Sequence, residues 1–239
     1  MSRDDQYRDR LYDSYVTGHQ GEIAETRSYA GFDVDIVARV PSDRAVSIVD
    51  IGCGQGQLVR MLGEHGYTDV WGIDLSQEQV DLAKELGTPN ISRDDLFGFA
   101  EEHQGGFDVV LAVDLIEHFD RADVQRVFEA LSSLLRPGGT LIVRTPNGAS
   151  PYAGRILFGD LTHGVAYTTK SLEQVAAATA FDRVEVFPVR PAGTGWKQRV
   201  RRALWRLIEL GLVFPLVVET GHVRGHIVTQ NLVARLRRA

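Results

Sequence analysis

Along residues 45–145, short runs of β-branched and apolar residues alternate with stretches in which apolar positions return every three or four residues. The first pattern is that of strands buried on both faces. The second is that of helices laying one stripe on a sheet, so the alternation predicts an α/β fold with a parallel sheet covered by helices. Strands are expected at 46–51, 69–74, 90–93, 107–113 and 139–145, with helices at 57–65, 77–86 and 121–135. In the last of these helices Val124, Val127, Phe128, Leu131, Leu134 and Leu135 form one face, and Pro137-Gly138-Gly139 predicts a stop and a turn into the next strand. Beyond Pro146 the regularity falls away into a long proline- and glycine-bearing connection up to Thr169. A helix at 171–178 and strands at 183–189 and 226–234 are expected to complete the sheet.

A chain of 239 residues with 44% hydrophobic and 24% charged residues is expected to form one domain with additions at both ends. These divide into an N-terminal cap or lid at 1–44, a core at 45–147, and a region at 148–239 that carries a helical insertion at 196–219. The net charge of −6 gives no general attraction to nucleic acid, which is not expected as a partner. The single cysteine, Cys53, rules out an internal disulfide, and the polar N-terminal residues carry no secretory pattern, so a cytoplasmic location is expected.

The densest chemical signal is Val49-Asp50-Ile51-Gly52-Cys53-Gly54-Gln55-Gly56, where a buried-type strand runs into glycines at every second position. Glycine lets backbone approach a ligand closely, and the helix behind such a loop presents free N–H groups. A dinucleotide loop of the G-x-G-x-x-G kind would place its third glycine at Gln57 rather than at Gly56, which argues against NAD. About twenty residues later Trp71-Gly72-Ile73-Asp74-Leu75-Ser76 ends the next strand in a carboxylate, where Rossmann-type folds hold a ribose. Asp74 is also placed to cap the following helix, a role for which Ser76 is the better candidate.

These segments, with Arg93-Asp94-Asp95-Leu96-Phe97, with 107–119 and with Leu134-Leu135-Arg136-Pro137-Gly138-Gly139, resemble the ordered motifs of class I S-adenosylmethionine-dependent methyltransferases over residues 46–147. The resemblance implies a Rossmann-like, doubly wound, mostly parallel seven-stranded sheet with an antiparallel last strand, and S-adenosylmethionine as cofactor. It assigns cofactor contacts to Asp50, Gly52, Cys53, Gly54, Gly56, Asp74, Leu75, Asp95, Leu96 and Val113. Asp74 would take the ribose, while Asp95 and the Leu96 N–H would read the adenine. A second reading of Asp95 is a helix cap, and Cys53 between glycines also reads as a packing choice.

A hydroxyl acceptor requires a base, for which His118, beside Asp114 and Glu117, and His163, in the long connection, are the candidates; each histidine also has a structural reading. Asp114 and Asn147 could offer oxygens to magnesium, but two ligands do not make a site, and no metal is assigned. Tyr7, Tyr12, Tyr15 and His19 belong either to a lid or to a surface helix.

The segments 145–151, 159–163, 219–221 and 229–232 resemble bacterial methyltransferases associated with polysaccharide and glycan biosynthesis, which implies O-methylation of a sugar hydroxyl. A natural-product methyltransferase acting on a phenol, amine or carboxylate, and a cofactor-binding protein without catalysis, remain as alternatives. The basic and then apolar segment 196–219 fits peripheral contact with a membrane, packing on the domain, or a homodimer contact; it is too interrupted by Arg206, Glu209 and Pro215 to span a bilayer.

Overall fold

The computed structural model describes residues 30–239, so the tyrosines and histidine named above at 7–19 lie outside the described residues. Seven strands, β1 (Ser47–Ile51), β2 (Asp69–Asp74), β3 (Ile91–Arg93), β4 (Phe107–Val113), β5 (Leu135–Pro146), β6 (Phe181–Pro188) and β7 (Asn231–Arg238), form one sheet. Their order is β3-β2-β1-β4-β5-β7-β6, with β1 to β5 paired in parallel and β7 antiparallel to both β5 and β6.

Alternation along the strands divides the apolar side chains between two faces. Ile48, Val109, Leu111, Ile142 and Val233 meet helices α2 (Gln57–Glu64) and α3 (Gln77–Glu85) on one side, together with Ile36, Val37 and Val40. The last three come from a segment that begins with α1 (Ala30–Asp35). On the other side Val49, Val110, Leu141, Leu232 and Leu236 meet α4 (Leu96–Glu102), α5 (Val124–Leu134) and α7 (Thr169–Ala178). The short α6 (Ala153–Leu157) lies in the long connection, and α8 (Trp196–Thr220) joins β6 to β7.

Strand order reverses between β1 and β4, and their carboxyl ends open the crevice in which such sheets hold ligands.

Three expectations shift. The last strand begins at Asn231 rather than 226, because the pattern of Leu232, Ala234 and Leu236 against Val233 sets its register, while Asn147 and Ser150 take the carbonyls of Ile227, Val228 and Thr229. Strand β5 starts at Leu135, ahead of the expected turn. Leu135 pairs with Phe107 and the register then jumps to Thr140 opposite Val109, with Gly138 at φ 78° taking the irregularity. Helix α4, outside the expected elements, follows Asp95 and realises the cap reading of that residue. The insertion expected at 196–219 is the single helix α8, which continues through Pro215 to Thr220: the proline removes one hydrogen bond, to the exposed Gly211 four residues back, without ending the helix.

Candidate functional site

The glycine loop leaves β1 in a conformation that only glycine adopts easily: φ is 74°, 52° and 71° at Gly52, Gly54 and Gly56. Backbone N–H groups of Gly52 and Cys53 both bond the Ile73 carbonyl, at 2.8 and 2.9 Å, which clamps the loop to the end of β2. A Cβ on Gly56 would come within 2.6 Å of the short, stiff Thr88 side chain, so packing holds this glycine, whereas one on Gly52 would meet only the movable tip of Leu115 at 2.9 Å and is disfavoured by its φ. A Cβ on Gly54 would meet nothing nearer than Gln79 Oε1 at 3.8 Å, so space remains over the middle of the loop. Cys53 is buried against Gly72, in keeping with its reading as a packing residue, and burial pushes its thiol up.

Asp74 ties the two loops together. Its Oδ2 accepts from the Gly54 N–H at 2.8 Å and its Oδ1 from the Ser76 N–H at 2.9 Å, so one lone pair on each oxygen remains for a ligand. Burial raises its pKa, and these two N–H groups oppose that rise. Ser76, not Asp74, caps α3 by accepting from the Gln79 N–H. Two buried oxygens at this end of the sheet lack a partner among the described residues, Asp50 Oδ1 and Gln79 Oε1. Buried acceptors without donors are rare, and a ligand bearing an ammonium group and hydroxyls would supply what is missing. The residues present therefore fit the expected cofactor. Gln79 was not foreseen from sequence; its place three residues after a helix cap facing a glycine loop was the available signal.

Asp50 has the most strained electrostatics of the group. Burial, followed by repulsion from Asp74, pushes its carboxyl up to about 8. Between the ordinary carboxylate pKa and that value the folded protein holds a proton that the unfolded chain has released, so the stability of the ligand-free protein falls as pH rises through this window. Asp50→Asn is accordingly expected to unfold about 1–3 kcal/mol later than wild type at pH 7.5, to match it near pH 4, and to bind S-adenosylhomocysteine more weakly. Thermal unfolding followed against pH checks this, and parallel profiles for the two proteins would contradict it.

Farther along the crevice, Asp95 does cap α4: its Oδ1 accepts from the Phe97 and Gly98 N–H groups at 2.9 and 3.1 Å. The Leu96 side chain is in the core, which leaves only its backbone for a ligand. Leu75 is exposed at the mouth and Val113 is half-buried at the end of β4. Asp114, at φ 52°, pairs with the guanidinium of Arg144, and the Phe32 ring of α1 lies 5.7 Å from that guanidinium. Asn147 is a structural tie rather than a metal ligand. Its Nδ2 donates to the Ile227 and Thr229 carbonyls, and its Oδ1 accepts from the Ala149 N–H.

The long connection folds back onto the residues after β4, where the N–H groups of Gly164 and Val165 bond the Glu117 carbonyl. This brings His118 and His163 together with ring centroids 4.8 Å apart. One ligand atom from each of Glu117, His118 and His163 lies within 4.8 Å of the others. Thr162 donates its single hydroxyl proton to Asp160 Oδ1 at 2.6 Å, so it must accept from His118 Nδ1–H at 2.8 Å. The neutral His118 ring thus carries its proton on Nδ1. His163 likewise donates Nδ1–H to the Ile156 carbonyl at 3.2 Å.

Burial, then the neighbouring His163, pushes His118 down to about 4, against the opposing pull of Asp160 and of the Thr162 and Asp114 backbone. Burial works to raise the Asp160 pKa, but the Thr162 hydrogen bonds and the two histidines hold it below the ordinary value. Burial, reinforced by Asp114, pushes Glu117 up to about 8, and its Oε2 accepts from the Thr145 hydroxyl at 3.0 Å. Glu117, Asp160 and Thr162 were not among the expected site residues.

The methyltransferase domain family matches residues 21–186. A ubiquinone biosynthesis O-methyltransferase of Paracidovorax citrulli is 31% identical over 160 residues, 60% of this chain and 65% of that protein. Another, of Pectobacterium carotovorum, is 32% identical over 105 residues, 42% of this chain and 43% of that protein. The matches therefore span between under half and about two thirds of these curated relatives. Among solved structures, a SAM-dependent methyltransferase from Archaeoglobus fulgidus superposes with a TM-score of 0.68 at 17% identity, covering 95% of this chain and all of that one, a likeness of fold.

Proposed function

The chain belongs to the methyltransferase domain family, a class I S-adenosylmethionine-dependent methyltransferase by family and fold, and on that premise we propose that it methylates a hydroxyl oxygen of a small-molecule acceptor. The observation that carries this reading is the hydrogen-bonded chain Asp160–Thr162–His118 at the carboxyl end of β4. When bound, S-adenosylmethionine supplies an electrophilic methyl group on a sulfonium.

Asp50 and the loop Gly52 to Gly56 hold the amino acid part of the cofactor, Asp74 the ribose, and Asp95 with the Leu96 N–H the adenine. The acceptor enters beside the histidines. His118 stays neutral at physiological pH, is oriented by its hydrogen bond to Thr162, and takes the hydroxyl proton as the new O–CH₃ bond forms. Asp160, acting through Thr162, offsets the charge that the ring gains. His163 packs on the ring and Glu117 closes the cluster from below.

A sugar hydroxyl is the acceptor favoured by the resemblance of the C-terminal segments. A hydroxyl of a ubiquinone precursor is the second acceptor class, suggested by the names of the curated relatives. The closeness of Glu117, His118 and His163 also supports a second way of activating the oxygen, by a divalent cation held on these three groups.

Transfer of labelled methyl from S-adenosylmethionine to nucleotide sugars, lipid-linked glycans and phenols, with and without EDTA, tests these readings. Labelling of a sugar hydroxyl that survives EDTA is the expected result. Labelling of phenols alone moves the acceptor to the second class, and loss with EDTA that Mg²⁺ or Mn²⁺ restores assigns the cation. Cofactor binding without transfer to any hydroxyl would overturn the enzymatic reading in favour of an accessory role.

A further inference from the structure

Helix α8 has 25 residues, none of them fully buried, and its most apolar side faces away from the domain. Trp196, Val200, Leu207, Phe214 and Val218 recur at helical spacing along one line, and four of the five are about 70% exposed. The half-buried side, turned toward the protein, bears Gln198, Arg202, Trp205 and Glu209 in its first half and Leu212, Val213, Leu216 and Val217 in its second. Two tethers hold it: Arg190 donates from Nε and Nη2 to the two carboxylate oxygens of Glu209 at 2.9 and 2.8 Å, and Arg202 donates to the Gly193 carbonyl at 2.7 Å. The half-buried side packs on the domain, one of the readings of 196–219, and leaves the line from Trp196 to Val218 turned outward.

We propose that this outward face docks on an anionic bilayer surface. The charge pattern selects that occupant. In a chain of net charge −6, Lys197, Arg199, Arg201, Arg202 and Arg206 concentrate in the first half of the helix, and among the described residues none of them forms an ion pair with an acid. At helical spacing Arg199 and Arg206 flank the apolar line on one side, Lys197 and Arg201 on the other. This is the cross-section of a helix lying in the plane of a membrane interface, about 37 Å long at 1.5 Å per residue. A second copy docked helix to helix would offer only Glu219 as an acid beyond the tethered Glu209, too little to meet those cations; anionic head groups meet them all. No described helix is long and apolar enough to cross a membrane, so the contact is with one leaflet.

The helix departs from the site edge of the sheet. Strand β6 ends at Pro188 and β7 begins at Asn231 beside Pro146 and the crevice, with Asn147 and Ser150 binding the chain that returns from α8. Docking through α8 therefore brings the crevice to the surface of the bilayer, where an acceptor carried on a lipid tail is presented.

Sedimentation of the full chain with phosphatidylcholine vesicles, with and without phosphatidylglycerol, tests the proposal in the absence of any acceptor. Binding about tenfold or more stronger to the anionic vesicles is expected from cations worth about 1 kcal/mol each at such a surface. The double variant Leu207→Glu with Phe214→Glu should lose vesicle binding while keeping wild-type affinity for S-adenosylhomocysteine, which reports that the fold is intact. Equal binding to both vesicles, or no binding, overturns it. A dimer in analytical ultracentrifugation that the same double variant dissolves, without vesicle binding, assigns the face to a second copy instead.

Discussion

Replacing His118 by alanine is expected to lower kcat for methyl transfer about 10²–10⁴-fold, the range over which a positioned general base acts, with little change in affinity for the cofactor product. The expectation comes from the geometry of one ring. Its Nδ1–H is committed to Thr162, and Thr162 is committed to Asp160, so the ring is held in one orientation beyond the end of β4. Because burial and His163 push the ring down to about 4, it remains neutral at pH 6, and the acid limb of the kcat profile should fall between about 4 and 5 rather than near the ordinary imidazole value of about 6.5. Thr162→Val removes the acceptor for Nδ1–H and frees the tautomer. It should lower kcat about tenfold and shift the acid limb, a change that loss of packing alone would not produce. A His118→Ala enzyme with wild-type kcat would remove the histidine from the mechanism.

The second large effect concerns Asp74→Ala, which is expected to weaken S-adenosylhomocysteine binding about 10²–10³-fold, at about 1.5–3 kcal/mol for each hydrogen bond to a charged group. The carboxylate does two things at once. It holds the glycine loop through the Gly54 N–H and the next turn through the Ser76 N–H, and it offers the remaining lone pairs to the ribose. Asp74→Asn keeps one acceptor oxygen and should recover part of the loss. Equal affinity in wild type and Asp74→Ala would place the nucleoside elsewhere.

How much of this was legible in the sequence follows from how local each feature is. The loop Gly52 to Gly56, the carboxylate of Asp74 and the cap at Ser76 lie within single strand–turn–helix units, so residue type and spacing were enough to find them. The role of Asp95 as a cap was legible for the same reason. The hydrogen bond between His118 and Thr162 joins positions 44 apart and depends on how the long connection folds back, which no local pattern encodes. The tie made by Asn147 was not legible, because a polar residue after a strand end looks the same whether it faces the crevice or binds the chain 80 residues later. The apolar stripe of α8 was visible in its periodicity, but periodicity does not say whether a stripe faces the domain or solvent. The tethers at Glu209 and Arg202 on the opposite side decide that.

The most direct test of the central claim is calorimetric titration of the wild-type protein with S-adenosylhomocysteine, with NAD as a control ligand. Saturable binding of one S-adenosylhomocysteine per chain and none of NAD is the predicted result. Binding of NAD, or no binding of S-adenosylhomocysteine, would contradict the account of the crevice between β1 and β4.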